Sequence, residues 1–110
     1  MITYKYGQFS DKQIQETKEK MRKQIFFLLL IADPKTKQNY KDVDVCVALQ
    51  NVLAIFGGLN DLLSYPQEFV DVMSLLNAAY QEYIKENFCW QKYRKLILDA
   101  GHAVLNIKEG

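Results

Sequence analysis

The chain has 110 residues, of which 49% are hydrophobic and 25% charged, and its formal net charge is +1. A chain of this length can bury one core without metal or disulfide staples, so we expect a single domain over residues 1–110. The near-zero net charge excludes a global field that would attract nucleic acid or an acidic membrane surface. Cys46 and Cys89 lack the spacing of a zinc site and are expected to be buried free thiols in a reducing cytosol.

The N-terminal segment carries apolar and aromatic side chains in loose alternation: Ile2, Tyr4, Tyr6 and Phe9. The pattern fits either a short strand or an extended arm that lays its rings on the body of the protein. A lone strand without a partner is unstable, so we predict an extended arm over residues 1–9.

The first helix is predicted over residues 11–32. Ser10 and Gln13 have the spacing of a capping box, and Pro34 prevents the helix from continuing. Residues 25–31 are all apolar. At about 100° per residue, such a run points side chains to every side of a helix. Any side that faced water would therefore expose apolar surface, which is unfavourable. We predict that this run is enclosed, either by the rest of the chain or by a second copy.

Residues 42–48 are ambiguous, because DVDVCVA alternates like a strand and is rich in valine. Asp42 or Asp44 could equally cap a helix that runs to Phe56 and ends at Gly57 and Gly58. We predict the helix, since the helical spacing of apolar residues continues to Phe56. Residues 59–63 are predicted to form a single helical turn.

Two more helices complete the predicted fold. The third begins at a capping box formed by Ser64 and Gln67 and ends near residue 87, and the fourth covers residues 89–107. Gly101 in the fourth helix predicts the close approach of another helix. The fold class is therefore all-α, a compact bundle of four main helices with an extended N-terminal arm.

Groups that commonly support catalysis are sparse. His102 is the single histidine, and helical spacing places it away from the apolar stripe, so we predict that it faces solvent. Glu82 and Glu86 could share a helical face as a cation site requires, but Lys85 lies between them and a third ligand is missing. We predict a solvated face there, with no metal, no cofactor and no enzymatic activity.

A basic segment, WQKYRK, covers residues 90–95. Lys92, Arg94 and Lys95 interleave with Trp90 and Tyr93, a pattern that can hold a phosphate and stack a base. Helical spacing turns both rings into the core, however. Binding of a nucleotide or nucleic acid is therefore less favoured than a solvated basic face.

The chain is rich in aromatic residues, with seven tyrosines and six phenylalanines. Such residues are favoured in interfaces because they bury large rigid areas. The candidate interface residues lie on the arm and the first helix: Tyr4, Tyr6, Phe9, Phe26, Phe27, Leu30 and Ile31. We predict a homodimer or binding to a protein partner. The alternative is that the same residues close a monomeric core.

Two segments, KQIFFLLLIADPKTK (residues 23–37) and KYRKLILDAG (residues 92–101), resemble small uncharacterised helical proteins encoded by bacteriophages and integrative elements of Gram-positive gut bacteria. The resemblance includes no catalytic signature. It implies a mobile-element accessory protein that binds and blocks a host component such as a CRISPR effector.

The sequence therefore predicts a non-catalytic protein-interaction module that occludes or scaffolds a host or phage protein. A virion assembly protein, such as a tail chaperone or connector subunit, and a protein that sequesters a nucleotide or small ligand are the alternatives. Residues 1–10 lack a secretory apolar region, and the apolar run is too short to cross a bilayer. We expect a cytoplasmic protein without membrane contact.

Overall fold

The computed structural model describes residues 2–4, 7–62 and 67–107. Within these ranges lie four α-helices: α1 (Asp11–Leu30), α2 (Val45–Leu62), α3 (Gln67–Tyr83) and α4 (Trp90–Leu105). A short 3₁₀ helix, Lys37–Tyr40, lies between α1 and α2. The predicted all-α class with four main helices is confirmed.

The predicted arm folds back on itself. Its residues form two short strands, β1 (Ile2–Tyr4) and β2 (Gly7–Phe9), which pair antiparallel with Ile2 opposite Phe9. The sequence offered no partner for a strand in this segment, but the partner strand lies within the same nine residues. Strand β2 also contacts α1. Tyr6 and the predicted cap Ser64 lie outside the described residues.

Helix α1 begins at the predicted capping box. The Gln13 backbone N–H donates to Ser10 Oγ (3.1 Å), and the Ser10 backbone N–H donates to Gln13 Oε1 (2.8 Å). The helix ends at Leu30, two residues before the predicted end. The Leu30 carbonyl accepts a hydrogen bond from Thr36 Oγ1 (2.6 Å), so the following turn folds back onto the end of the helix.

The predicted helix at the ambiguous valine-rich segment is confirmed, and Asp44 Oδ1 accepts the Val47 backbone N–H (3.3 Å) at its start. The predicted end at Gly57 and Gly58 is wrong, because α2 continues through both glycines to Leu62. Buried residues recur on one side of α2 up to Asn60, against α3. Burial of this face outweighs the cost of about 1 kcal/mol for each helical glycine.

The helices pack so that α4 lies between α1 and α3, and α2 lies against α3. Helices α1 and α2 also touch, but fewer of their residues are in contact than in the other three pairs. The core contains fully buried side chains from each of the four α-helices, among them Leu28, Leu49, Leu76 and Ile97. In the described part of the chain, none of the helices has the length and apolar character that crossing a bilayer requires.

Two polar side chains connect α1 and α4 in opposite directions. Lys18 on α1 is only 9% exposed, and its Nζ donates to the carbonyls of Leu105 (3.3 Å) and Ile107 (2.9 Å). Tyr93 on α4 donates its hydroxyl to the carbonyl of Leu28 (2.8 Å). Each helix thus satisfies carbonyls near the C-terminal end of the other, and the two helices run antiparallel.

Gly101 faces α1, as predicted, but the packing does not require a glycine there. A Cβ on Gly101 would lie 3.9 Å from Ile25 Cγ2, which is an ordinary van der Waals distance.

Candidate interaction surface

The apolar run of α1 is only partly enclosed by the rest of the chain. Leu28, Leu29 and Ile31 are buried, whereas Phe26 is 55% exposed and Phe27 is 38% exposed. The prediction that the whole run is enclosed therefore fails within a single chain at the two phenylalanines. Ile31, a predicted interface residue, belongs to the core, and Leu30 is half-buried.

Phe27 lies beside a groove of about 360 Å³ between α1 and α2. Its ring meets the ring of Tyr40 edge to face, with 5.6 Å between the centroids. On the α2 side the groove is lined by Ala48, Asn51, Val52 and Ile55. The groove exists because few residues of α1 and α2 are in contact with each other.

One row of side chains on α2 extends this apolar surface. Val47, Asn51 and Ile55 follow each other at intervals of four residues, so they lie on one side of the helix. Val47 and Ile55 are each 49% exposed. We call the surface formed by Phe27, Val47, Asn51 and Ile55 the α1–α2 face.

Sequence reasoning missed Val47 and Ile55. Both lie outside the apolar stripe of Val45, Leu49, Val52 and Phe56, which is the side of α2 that packs in the core. An apolar residue outside the buried stripe is the signal that could have identified them.

Phe26 lies on the other side of α1, beside a second groove of about 360 Å³. We call it the α1–α4 groove. Its walls come from α1 and α4, and His102 lies at its edge, exposed as predicted.

The other predicted interface residues lie at the N-terminus. Tyr4 ends β1 opposite Gly7, and Phe9 ends β2. Tyr6 lies outside the described residues.

The structure places the candidate phosphate-binding cations, Lys92, Arg94 and Lys95, on the exposed side of α4. Lys95 Nζ lies 3.6 Å from Asp99 Oδ2. The Tyr93 ring points inward, as predicted, and packs within 6 Å of the ring centroids of three half-buried aromatic residues: Tyr83, Phe88 and Trp90. Burial raises the pKa of Tyr93 far above its ordinary value, and its ring is not free to stack on a base.

Glu82 is buried, at 6% exposure, so the predicted solvated carboxylate at this position is wrong. Its Oε2 accepts from Lys85 Nζ (2.9 Å), and its Oε1 accepts from the Cys89 backbone N–H (3.3 Å). The hydrogen bond from Lys85 is the largest cause that holds the pKa of Glu82 below its usual value. Helix α3 ends at Tyr83, so Glu86 does not share a helical face with Glu82.

The turn between α3 and α4 is therefore organised around the Glu82 carboxylate, which joins its two ends.

Among the described residues, no three His, Cys, Asp or Glu side chains gather where they could hold a metal ion. Cys46 and Cys89 are free, as predicted, but they are half-buried and not buried. Comparisons with protein-family models, with curated proteins and with solved structures give no significant match for this chain.

Proposed function

We propose that this chain is a non-catalytic protein-interaction module that forms a homodimer through the α1–α2 face. The observation that supports the proposal is the exposure of Phe27, Val47 and Ile55 around a seam where the bundle is thinly packed. Burying such side chains against a partner removes apolar area from water at about 25 cal/mol per Å². A second copy offers the same surface, and a two-fold axis pairs each face with itself.

Phe26 is exposed beside the α1–α4 groove, whereas two other exposed apolar side chains lie singly, away from both grooves. Ile84 follows the end of α3, and Leu105 is the last residue of α4. Single exposed apolar residues are normal on soluble proteins, whereas a group beside a groove is typical of a binding surface. This difference favours the α1–α2 face.

Ile55→Asp tests the proposal, with Ile84→Asp as the matched control. Both isoleucines are 49% exposed, so the two substitutions replace equally exposed apolar side chains by the same charged one. We expect size-exclusion chromatography with light scattering to give a monomer for Ile55→Asp and a dimer for Ile84→Asp. Phe27→Asp should also give a monomer. Equal masses for Ile55→Asp and Ile84→Asp would contradict the proposal.

A different protein could occupy the same face. The resemblance of residues 23–37 and 92–101 to mobile-element proteins supports a host or phage protein as that partner. In an anti-defence role, this chain would cover a surface that the partner needs for its own function. A virion assembly protein would instead form rings or larger oligomers, which light scattering distinguishes from a dimer.

A nucleotide-sequestering role would use Lys92, Arg94 and Lys95. It predicts that a nucleotide raises the melting temperature, and that Arg94→Glu removes this effect.

A further inference from the structure

The α1–α4 groove is polar at one end and apolar at the other. Because α1 and α4 run antiparallel, His102 lies toward the end where α1 contributes Arg22 and Lys23. Leu98 lies toward the other end, where α1 contributes Phe26 and Leu29. The polarity of the groove therefore changes along its length.

The charges at the polar end favour an anion. Neither Arg22 nor Lys23 has an ion-pair partner in the described part of the chain, and His102 lines the same groove from α4. Glu19 also lines this end and offsets one positive charge, which leaves a net charge of one. A single anionic group complements this end of the groove.

We infer that the α1–α4 groove binds a small anionic amphiphile, such as a carboxylate on an apolar chain. The anionic head would lie at Arg22 and Lys23, and the chain would extend over Phe26 and Leu29. Arg22 and Leu29 are seven residues apart on α1, a rise of about 10 Å, which fits a chain of medium length. The groove volume of about 360 Å³ lies within the range of small-ligand sites.

The order of polar and apolar residues argues against an amphipathic helix as the occupant. Such a helix is polar along one side and apolar along the other, so it requires a groove that is apolar along its whole length. The α1–α4 groove is apolar over only part of its length. A ligand with one charged end and one apolar end matches this arrangement.

The test is calorimetric titration of the folded protein with decanoate, kept below its micelle concentration. We expect one decanoate per chain, and we expect decyltrimethylammonium, which has a similar tail and a cationic head, to bind much more weakly. Shortening the chain from decanoate to octanoate should weaken binding by about fourfold for each methylene that lies in the groove.

Arg22→Glu is the variant, and Lys20→Glu is the control. Both residues are exposed on α1, and both changes reverse a positive charge, but only Arg22 lines the groove. We expect Arg22→Glu to weaken decanoate binding by about fivefold or more, with an unchanged helical circular dichroism spectrum. Lys20→Glu should bind like the wild type.

Three results would overturn the inference. They are the absence of binding heat with decanoate at two well-separated temperatures, equal affinity for decanoate and decyltrimethylammonium, and equal effects of Arg22→Glu and Lys20→Glu.

Discussion

Replacing Lys18 by methionine removes an amine from the junction between α1 and α4 while keeping a similar apolar stem. The amine donates two hydrogen bonds, to the carbonyls of Leu105 and Ile107, at the end of α4. Each bond contributes about 1 kcal/mol net, and a cationic group at a helix C-terminus contributes about 0.5 kcal/mol more. Methionine offsets part of this loss of stability, because burying its uncharged side chain costs less free energy than burying an ammonium group. We therefore expect a loss of about 2 kcal/mol.

For a chain of this size, that loss lowers the melting temperature by about 8 °C. Thermal unfolding followed by circular dichroism at 222 nm measures the change, and urea unfolding gives the free energy directly. Lys20→Met is the control, because Lys20 is exposed on the same helix. If Lys18→Met and Lys20→Met had the same stability, the buried contact between Lys18 and the end of α4 would be refuted.

Three further changes test the packing and the electrostatics. Tyr93→Phe leaves the Leu28 carbonyl without its donor and should cost about 1–2 kcal/mol; an unchanged urea midpoint would contradict this hydrogen bond. Glu82 has a lowered pKa in the folded state, so its stabilising contribution is complete above its ordinary pKa of 4.5 and is lost as the pH falls through the folded-state pKa. Glu82→Gln should weaken this acid-side dependence in pH-dependent thermal unfolding, and an unaltered profile would exclude Glu82 as its source. Gly58→Ala should stabilise the protein by about 1 kcal/mol in urea unfolding, since an added Cβ meets nothing within 4 Å; a loss of stability would mean that α2 is not a regular helix there.

Features that depend on neighbouring residues were predictable from the sequence. The capping box of Ser10 and Gln13 involves residues three positions apart, and it places the start of α1 correctly. The inward side of α4, which includes Tyr93, follows from helical spacing alone.

Features that depend on distant contacts were not predictable in this way. Gly57 and Gly58 resemble a helix end locally, but burial of α2 against α3 carries the helix through them. Glu82 is buried because the chain returns at Cys89 to hydrogen-bond it. Lys18 contacts a carbonyl 89 residues away, and no local pattern encodes that contact.

The candidate surface was predicted only in part for the same reason. The sequence identifies the apolar run that contains Phe26 and Phe27, but it does not show which of its side chains the rest of the chain covers. That outcome depends on the thin contact between α1 and α2, which is a property of the assembled bundle.

Sedimentation equilibrium of the wild-type protein over a dilution series tests the proposed self-association most directly. We predict a mass near twice the chain mass of 12.8 kDa at high concentration, which falls toward that of one chain on dilution. A mass of one chain at every concentration, up to the solubility limit, would contradict a dimer formed through the α1–α2 face.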